Sequence, residues 1–182
     1  MSYTHTILTS GDDVVSYAGA PPAGRAGVMV NAGDGNDRII GSSGDDRLNG
    51  GEGSDSLDGG AGRDFLRGGE GADRVRGGEG NDTFIFHKGD LVAASGNNKV
   101  NVDHIVDFAG QGGYSNQGEG DFITFWGFGP GAKLEFSHYG SQGQHFQYYT
   151  VTDDTGTYDL LVQMKDGSGR TLQLGDYAFY NA

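Results

Sequence analysis

The sequence predicts an all-β fold: a right-handed parallel β-roll closed at its C-terminal end by an antiparallel β cap. Three observations carry that prediction. Residues 32–85 divide into six consecutive nonapeptides, AGDGNDRII, GSSGDDRLN, GGEGSDSLD, GGAGRDFLR, GGEGADRVR and GGEGNDTFI. Each has Asp at its sixth position and a large apolar residue at its eighth. From Asp121 onward the pattern changes to short alternating apolar segments, separated by GPG, GSQG, DDTG and DGSG turns.

Two degenerate repeats come first. Leu8–Ser16 (LTSGDDVVS) keeps Gly11, Asp13 and Val15 in their places. Tyr17–Asn31 is six residues longer than a repeat, holds Pro21 and Pro22, and puts Val28 at the Asp position and Val30 at the inward one. Asp13 and Asp37 are therefore 24 residues apart, one coil of 18 and the six extra residues. That phase predicts that Asp13 joins the same edge as Asp37, and that the coil containing Val28 has no ion on its edge.

Within the repeats, glycines at positions one, two and four permit positive φ and a tight loop. The last three residues form a short strand whose middle side chain points inward. Two loops and two strands make one coil, so equivalent residues recur every 18 positions. Asp37, Asp55 and Asp73 then line one edge, and Asp46, Asp64 and Asp82 the other. Successive coils stack about 4.8 Å apart, a spacing at which carboxylates repel. A hard dication with oxygen ligands relieves that repulsion, and Ca²⁺ takes six to eight oxygens from carboxylates and carbonyls. Cysteine is absent and the five histidines are scattered, which disfavours a softer metal.

This block resembles the calcium-binding nonapeptide β-roll of the RTX (repeats-in-toxin) family. The resemblance implies ions held between a loop and the loop one coil later. The earlier loop would give its second and fourth carbonyls and its Asp, the later one its first and third carbonyls and its Asp. On this chain one site would use Gly33, Gly35, Asp37, Gly50, Glu52 and Asp55, and the next Gly51, Gly53, Asp55, Gly68, Glu70 and Asp73. On the opposite edge, Ser42, Gly44, Asp46, Gly59, Ala61 and Asp64 would make a third, and Gly60, Gly62, Asp64, Gly77, Glu79 and Asp82 a fourth. Asp13, with carbonyls of Thr9, Gly11, Ala32 and Asp34, would close a fifth against Asp37. Gly69, Gly71, Gly78 and Gly80, at positions two and four of the last two repeats, would offer the same carbonyls to any further site. About five Ca²⁺ are expected, adding roughly ten positive charges.

After Phe84 the period breaks. FIFHKGDLV reads as strand then turn, where Asp90 can close a final loop, and residues 93–98 read as linker. VNVDHIVDF (Val100–Phe108) resembles the strand that follows the roll in serralysin-type C-terminal domains. There Asp107 or Asp103 caps the last calcium edge, or both simply face solvent. Residues 109–120 read as a loop. The aromatic residues beyond it, Trp126, Phe125, Phe128 and Phe179 among them, suit either a core or a carbohydrate platform. The cap also covers a coil end whose strand edges would otherwise be unpaired. The expected domains are degenerate coils over 1–31, the roll over 32–85, and the cap over 86–182.

A net charge of −13 argues against a nucleic-acid partner. The first residues lack the basic and apolar regions of a Sec signal, and no apolar run approaches a membrane span. The RTX resemblance implies instead a secreted, extracellular bacterial protein, exported by a type I system that reads a C-terminal signal. No HExxH, no GxSxG and no cysteine nucleophile is present, so no enzymatic activity is expected. Arg38, Arg74 and Arg76 face outward on one sheet, and Arg47 and Arg67 on the other. The alginate epimerase R-modules, which the block also resembles, imply anionic polysaccharide as ligand for such rows. The other reading is that the arginines offset acidic repeats and protect the strand edges.

Overall fold

The computed structural model describes residues 4–19, 26–91, 102–109, 120–140, 143–165, 171–172 and 175–180. The insertion holding Pro21 and Pro22, the 93–98 linker, most of the 109–120 loop and the DGSG turn lie outside the described residues. The repeats lay down strands β1 (Thr4–Ile7), β2 (Val14–Ser16), β3 (Ala26–Asp34), β4 (Arg38–Ile40), β5 (Asp45–Glu52), β6 (Ser56–Gly62), β7 (Phe65–Glu70), β8 (Arg74–Gly80) and β9 (Thr83–His87). Odd strands form one sheet and even strands the other, every neighbour parallel. This is the expected parallel β-roll.

The period of 18 fixes the core. Val30, Leu48, Leu66 and Phe84 stand in register on the first sheet. Val15, Ile39, Leu57 and Val75 face them from the second. From Val30 and Ile39 onward these side chains are buried. Each coil thus contributes only two apolar side chains for 18 ordered residues, a thin core against the entropy of fixing so long a backbone.

The glycines divide by role. Among the described residues, glycines at positions two and four adopt positive φ except in the two repeats with a hydroxyl residue at position two, where Gly11 and Gly44 do not; Gly51 and Gly53 stand at 126° each. Position one does not: a β-carbon on Gly50 would instead stand between Asp55 Oδ2 and the Gly68 carbonyl. Position one is therefore glycine for space and not for its dihedral.

The C-terminal region differs from a purely antiparallel cap. β10 (Asp103–Phe108) adds to β8 in parallel, and β11 (Phe122–Trp126) adds to β9 in parallel. Both sheets therefore run on past the repeats, and the two interior columns continue in Ile105 and Ile123. β15 (Tyr177–Tyr180) closes the first sheet, again in parallel. Among the described residues only β12 (Lys133–Gly140), β13 (Gly143–Thr152) and β14 (Thr157–Met164) make an antiparallel meander, and β14 joins β10 in parallel. Phe125, Phe128 and Phe179 pack on one another inside, whereas Trp126 stacks on Tyr180 at the exposed outer face.

Candidate calcium edges

Each edge of the roll carries a chain of hydrogen bonds from backbone to carboxylate. Asp13 N donates to Asp37 Oδ1 at 2.7 Å, Asp37 N to Asp55 at 2.7 Å, and Asp55 N to Asp73 at 2.8 Å. On the opposite edge Val28 N donates to Asp46 at 2.7 Å, Asp46 N to Asp64 at 2.8 Å, and Asp64 N to Asp82 at 3.0 Å. Val28 thus stands at an aspartate position, and the six extra residues leave Asp13 in phase.

Both ladders outlast the repeats. Asp73 N donates to Asp103 Oδ1, and Asp82 N to Asp121 Oδ1, each at 3.0 Å. Of the two candidates, Asp103 and Asp107, it is Asp103 that continues the ladder. Asp107 lies in neither ladder: its two oxygens accept from Gly77 N and Gly78 N, and Arg76 Nε lies 3.2 Å away. The carboxylate caps loop amides and pairs with a guanidinium, which leaves it poorly placed as an ion ligand. Asp121 was not expected at all. Its signal is Gly118-Glu119-Gly120-Asp121-Phe122-Ile123, a repeat lacking one residue before its aspartate. Asp90 closes the turn after β9, its N–H donating to His87 O and its Oδ2 accepting from His87 N, and Arg67 holds the same carboxylate.

The second oxygen of each ladder carboxylate decides what the edges can hold. Oδ2 of Asp37, Asp55, Asp64, Asp73, Asp82 and Asp103 is buried without a hydrogen-bond partner. A buried, unpaired carboxylate oxygen is costly. These oxygens share their surroundings with carbonyls. A β-carbon on Gly59 would fall between Asp64 Oδ2 and Gly77 O, the latter 2.6 Å off. The Gly33 and Gly35 carbonyls point at Gly51 and Gly53 of the next coil, and those of Gly60 and Gly62 at Gly78 and Gly80. Glu52 O and Glu70 O face back, accepting from Gly35 N and Gly53 N and keeping a second lone pair. Carboxylate and carbonyl oxygens, with no nitrogen or sulfur among them, suit a hard divalent cation. At the far end, Lys165 Nζ donates to Gly78 O at 2.8 Å, so a cation of the protein already meets that carbonyl.

Without a cation Asp55, Asp64, Asp73, Asp82 and Asp103 resist ionisation. Burial, reinforced by the neighbouring aspartates and opposed by the backbone amides, pushes Asp55 up to about 6 and Asp64, Asp73 and Asp82 up to about 7. Asp121 reaches about 7 by burial as well, and Asp103 is held well above the ordinary range. An aspartate raised in the folded state binds its proton more tightly there than in the unfolded chain, near 3.9. The resulting stability is present at low pH and is lost as pH rises through 6 to 7. The calcium-stripped chain is therefore expected to hold more β structure at about pH 5.5 than at about pH 8 by far-ultraviolet circular dichroism. Greater order at the higher pH would contradict this account of the ladders.

The arginines differ in their partners. Arg67 grips Asp90 with two bonds of 2.6 and 2.8 Å, and Arg76 meets Asp58 at 3.1 Å besides Asp107. Arg47 lies over the Phe65 ring, 5.1 Å from its centroid. Arg38 and Arg74 are exposed and stand in register with Ser56 between them, and Arg74 Nη1 lies 3.5 Å from His104 Nδ1. With Ser56, Asp58 and Arg76 they line a groove of about 240 Å³ on the eight-stranded sheet.

Two edges of buried carboxylates facing inturned carbonyls define a cation-binding parallel β-roll. Residues 31–66 and 58–90 match the model of the RTX calcium-binding nonapeptide repeat. The solution structure of the AlgE6R2 subunit from the Azotobacter vinelandii mannuronan C5-epimerase is similar in fold. It is 23% identical, with a TM-score of 0.52, over 98% of this chain and 92% of that one. No curated protein sequence matches the chain significantly. Residues 31–90 of the chain thus carry calcium-binding nonapeptide repeats of RTX type.

Proposed function

We propose that this chain is a secreted bacterial module that stays unfolded where calcium is scarce and folds on meeting calcium outside the cell, so that it can thread a type I exporter. The observation that carries the reading is the pair of ladders with buried, unpartnered Oδ2 atoms. Asp37, Asp55 and Asp73 would hold ions with the carbonyls of Gly33, Gly35, Gly50, Glu52, Gly51, Gly53, Gly68 and Glu70. Asp64 and Asp82 would do so with Gly60, Gly62, Gly77 and Glu79. Asp103 and Asp121 extend the two rows. Bound calcium supplies the positive charge that lets neighbouring carboxylates ionise together inside the fold. The chain's own part is to place those oxygens at one coil spacing and to cover the C-terminal coil end. The test is calcium-triggered folding of the stripped chain; an ordered roll in the stripped protein at neutral pH would defeat the proposal.

A second reading rests on the groove between Arg38 and Arg74. Two guanidiniums two strands apart, about 9.6 Å, can each pair with a carboxylate of an extended uronate chain. The fold-similar subunit comes from a mannuronan epimerase, which acts on such a polymer. Calorimetric titration of alginate into the calcium-loaded protein is expected to give binding that the R38A/R74A double variant loses by at least tenfold, with no heat from a neutral glucan. Equal binding by the double variant would exclude the groove.

A further inference from the structure

The first aspartate of each ladder is held differently from those that follow. In the repeats where position two is Gly33, Gly51, Gly60, Gly69 or Gly78, that glycine adopts positive φ. The aspartate of the same repeat then has a buried Oδ2 with no hydrogen-bond partner. Position two carries a hydroxyl in two loops, at Thr9 and Ser42. Thr9 donates its N–H and its Oγ1 to Asp13 Oδ2, both at 2.8 Å. Ser42 donates its N–H to Asp46 Oδ2 at 2.5 Å and its Oγ to Asp46 Oδ1 at 2.8 Å, and Val28 N shares Oδ1. Asp13 begins one ladder and Asp46 begins the other. The same device thus stands at the N-terminal end of both edges, each time ahead of the run Ser-Gly-Asp-Asp (Ser10–Asp13 and Ser43–Asp46).

We propose that Thr9 and Ser42 set calcium affinity, making the first gap on each edge the weakest and the last to fill. This rests on the calcium reading above and concerns its gradation along the roll. The remaining oxygens of the second-edge gap are in place: the Ser42 and Gly44 carbonyls point at Gly60 and Gly62, as their counterparts do in the other coils. What differs is the carboxylate. An ion drawing on Asp46 must displace two charge-assisted hydrogen bonds from its own loop, whereas Asp37, Asp55 or Asp64 offers an Oδ2 with no bond to lose. The coils behind the gaps fill and order first. The N-terminal coils, which end in the exposed strands β1 and β2, consolidate only at higher calcium, so the order of that end reports calcium concentration.

The test is isothermal titration of Ca²⁺ into the stripped full chain, with circular dichroism at saturating calcium confirming that each variant folds. The native protein is expected to show a tight and a weaker class of sites. Ser42→Gly should move one ion from the weaker class to the tight class, a gain of about tenfold, and Thr9→Gly should do the same on the other edge. Asp46→Asn should leave the number of tight ions unchanged. A Ser42→Gly isotherm superimposable on the native one, or loss of a tight ion in Asp46→Asn, would overturn the proposal. Absence of calcium heat in every variant would overturn the calcium reading itself, and this gradation with it.

Discussion

Stripping calcium at neutral pH is expected to abolish the β-roll, with loss of most of the far-ultraviolet β signal and its return on adding calcium back. The size of the effect follows from what the ladders cost. At least six carboxylate oxygens are buried without a partner, and a charge on Asp55, Asp64, Asp73, Asp82 or Asp103 is opposed by burial and by the aspartates one coil away. Neutral pH lies at or above the raised values of Asp55, Asp64, Asp73 and Asp82, so the calcium-free roll must either hold these charges or give up structure. The interior does not compensate, with two apolar side chains per coil. Calcium binding supplies the deficit directly, since a preformed site does not exist in the unfolded chain. The transition should be steep in calcium concentration because neighbouring gaps share an aspartate. A shallow titration, with each coil responding alone, would mean that the gaps are independent.

How much of this was legible in the sequence depends on which part of the chain is asked. Over 32–85 the strict period fixes register, so the two Asp edges and the inward column from Ile39 to Val75 could be read directly. The same arithmetic carried Asp13 across an insertion, because six added residues displace the loop without changing which edge follows. Beyond Phe84 the period is gone and with it the register. Asp103 and Asp107 are four residues apart on one strand, and only the pairing of His104 with Arg74 decides between them. Asp121 was missed because its loop is one residue short of the pattern. Alternation announced the strands of the cap but not their direction, and so β11 and β15 were expected to run antiparallel. The pairing of Arg67 with Asp90 joins residues 23 apart across a turn, which no local pattern reveals.

Because an inner aspartate serves two gaps, Asp55→Asn is expected to cost far more than Asp13→Asn at the end of the same row. The asparagine keeps an oxygen to accept the Asp37 N–H and changes little in size, so the substitution isolates the charge. Asp55 faces one gap with Asp37 and another with Asp73, and its Oδ2 adjoins the Gly68 carbonyl across the space that Gly50 leaves open. With calcium at about 100 times the dissociation constant, each ion contributes roughly 2.7 kcal/mol, so loss of both weakens the fold by about 5 kcal/mol. Asp13 faces one gap, and its carboxylate is already occupied by Thr9, so its replacement should cost about 1 kcal/mol or less. Urea denaturation at one fixed calcium concentration compares the two, and calcium stoichiometry should fall by two ions in Asp55→Asn. Equal costs for the two variants would mean that each aspartate serves a single ion, and the shared-ladder description would fail.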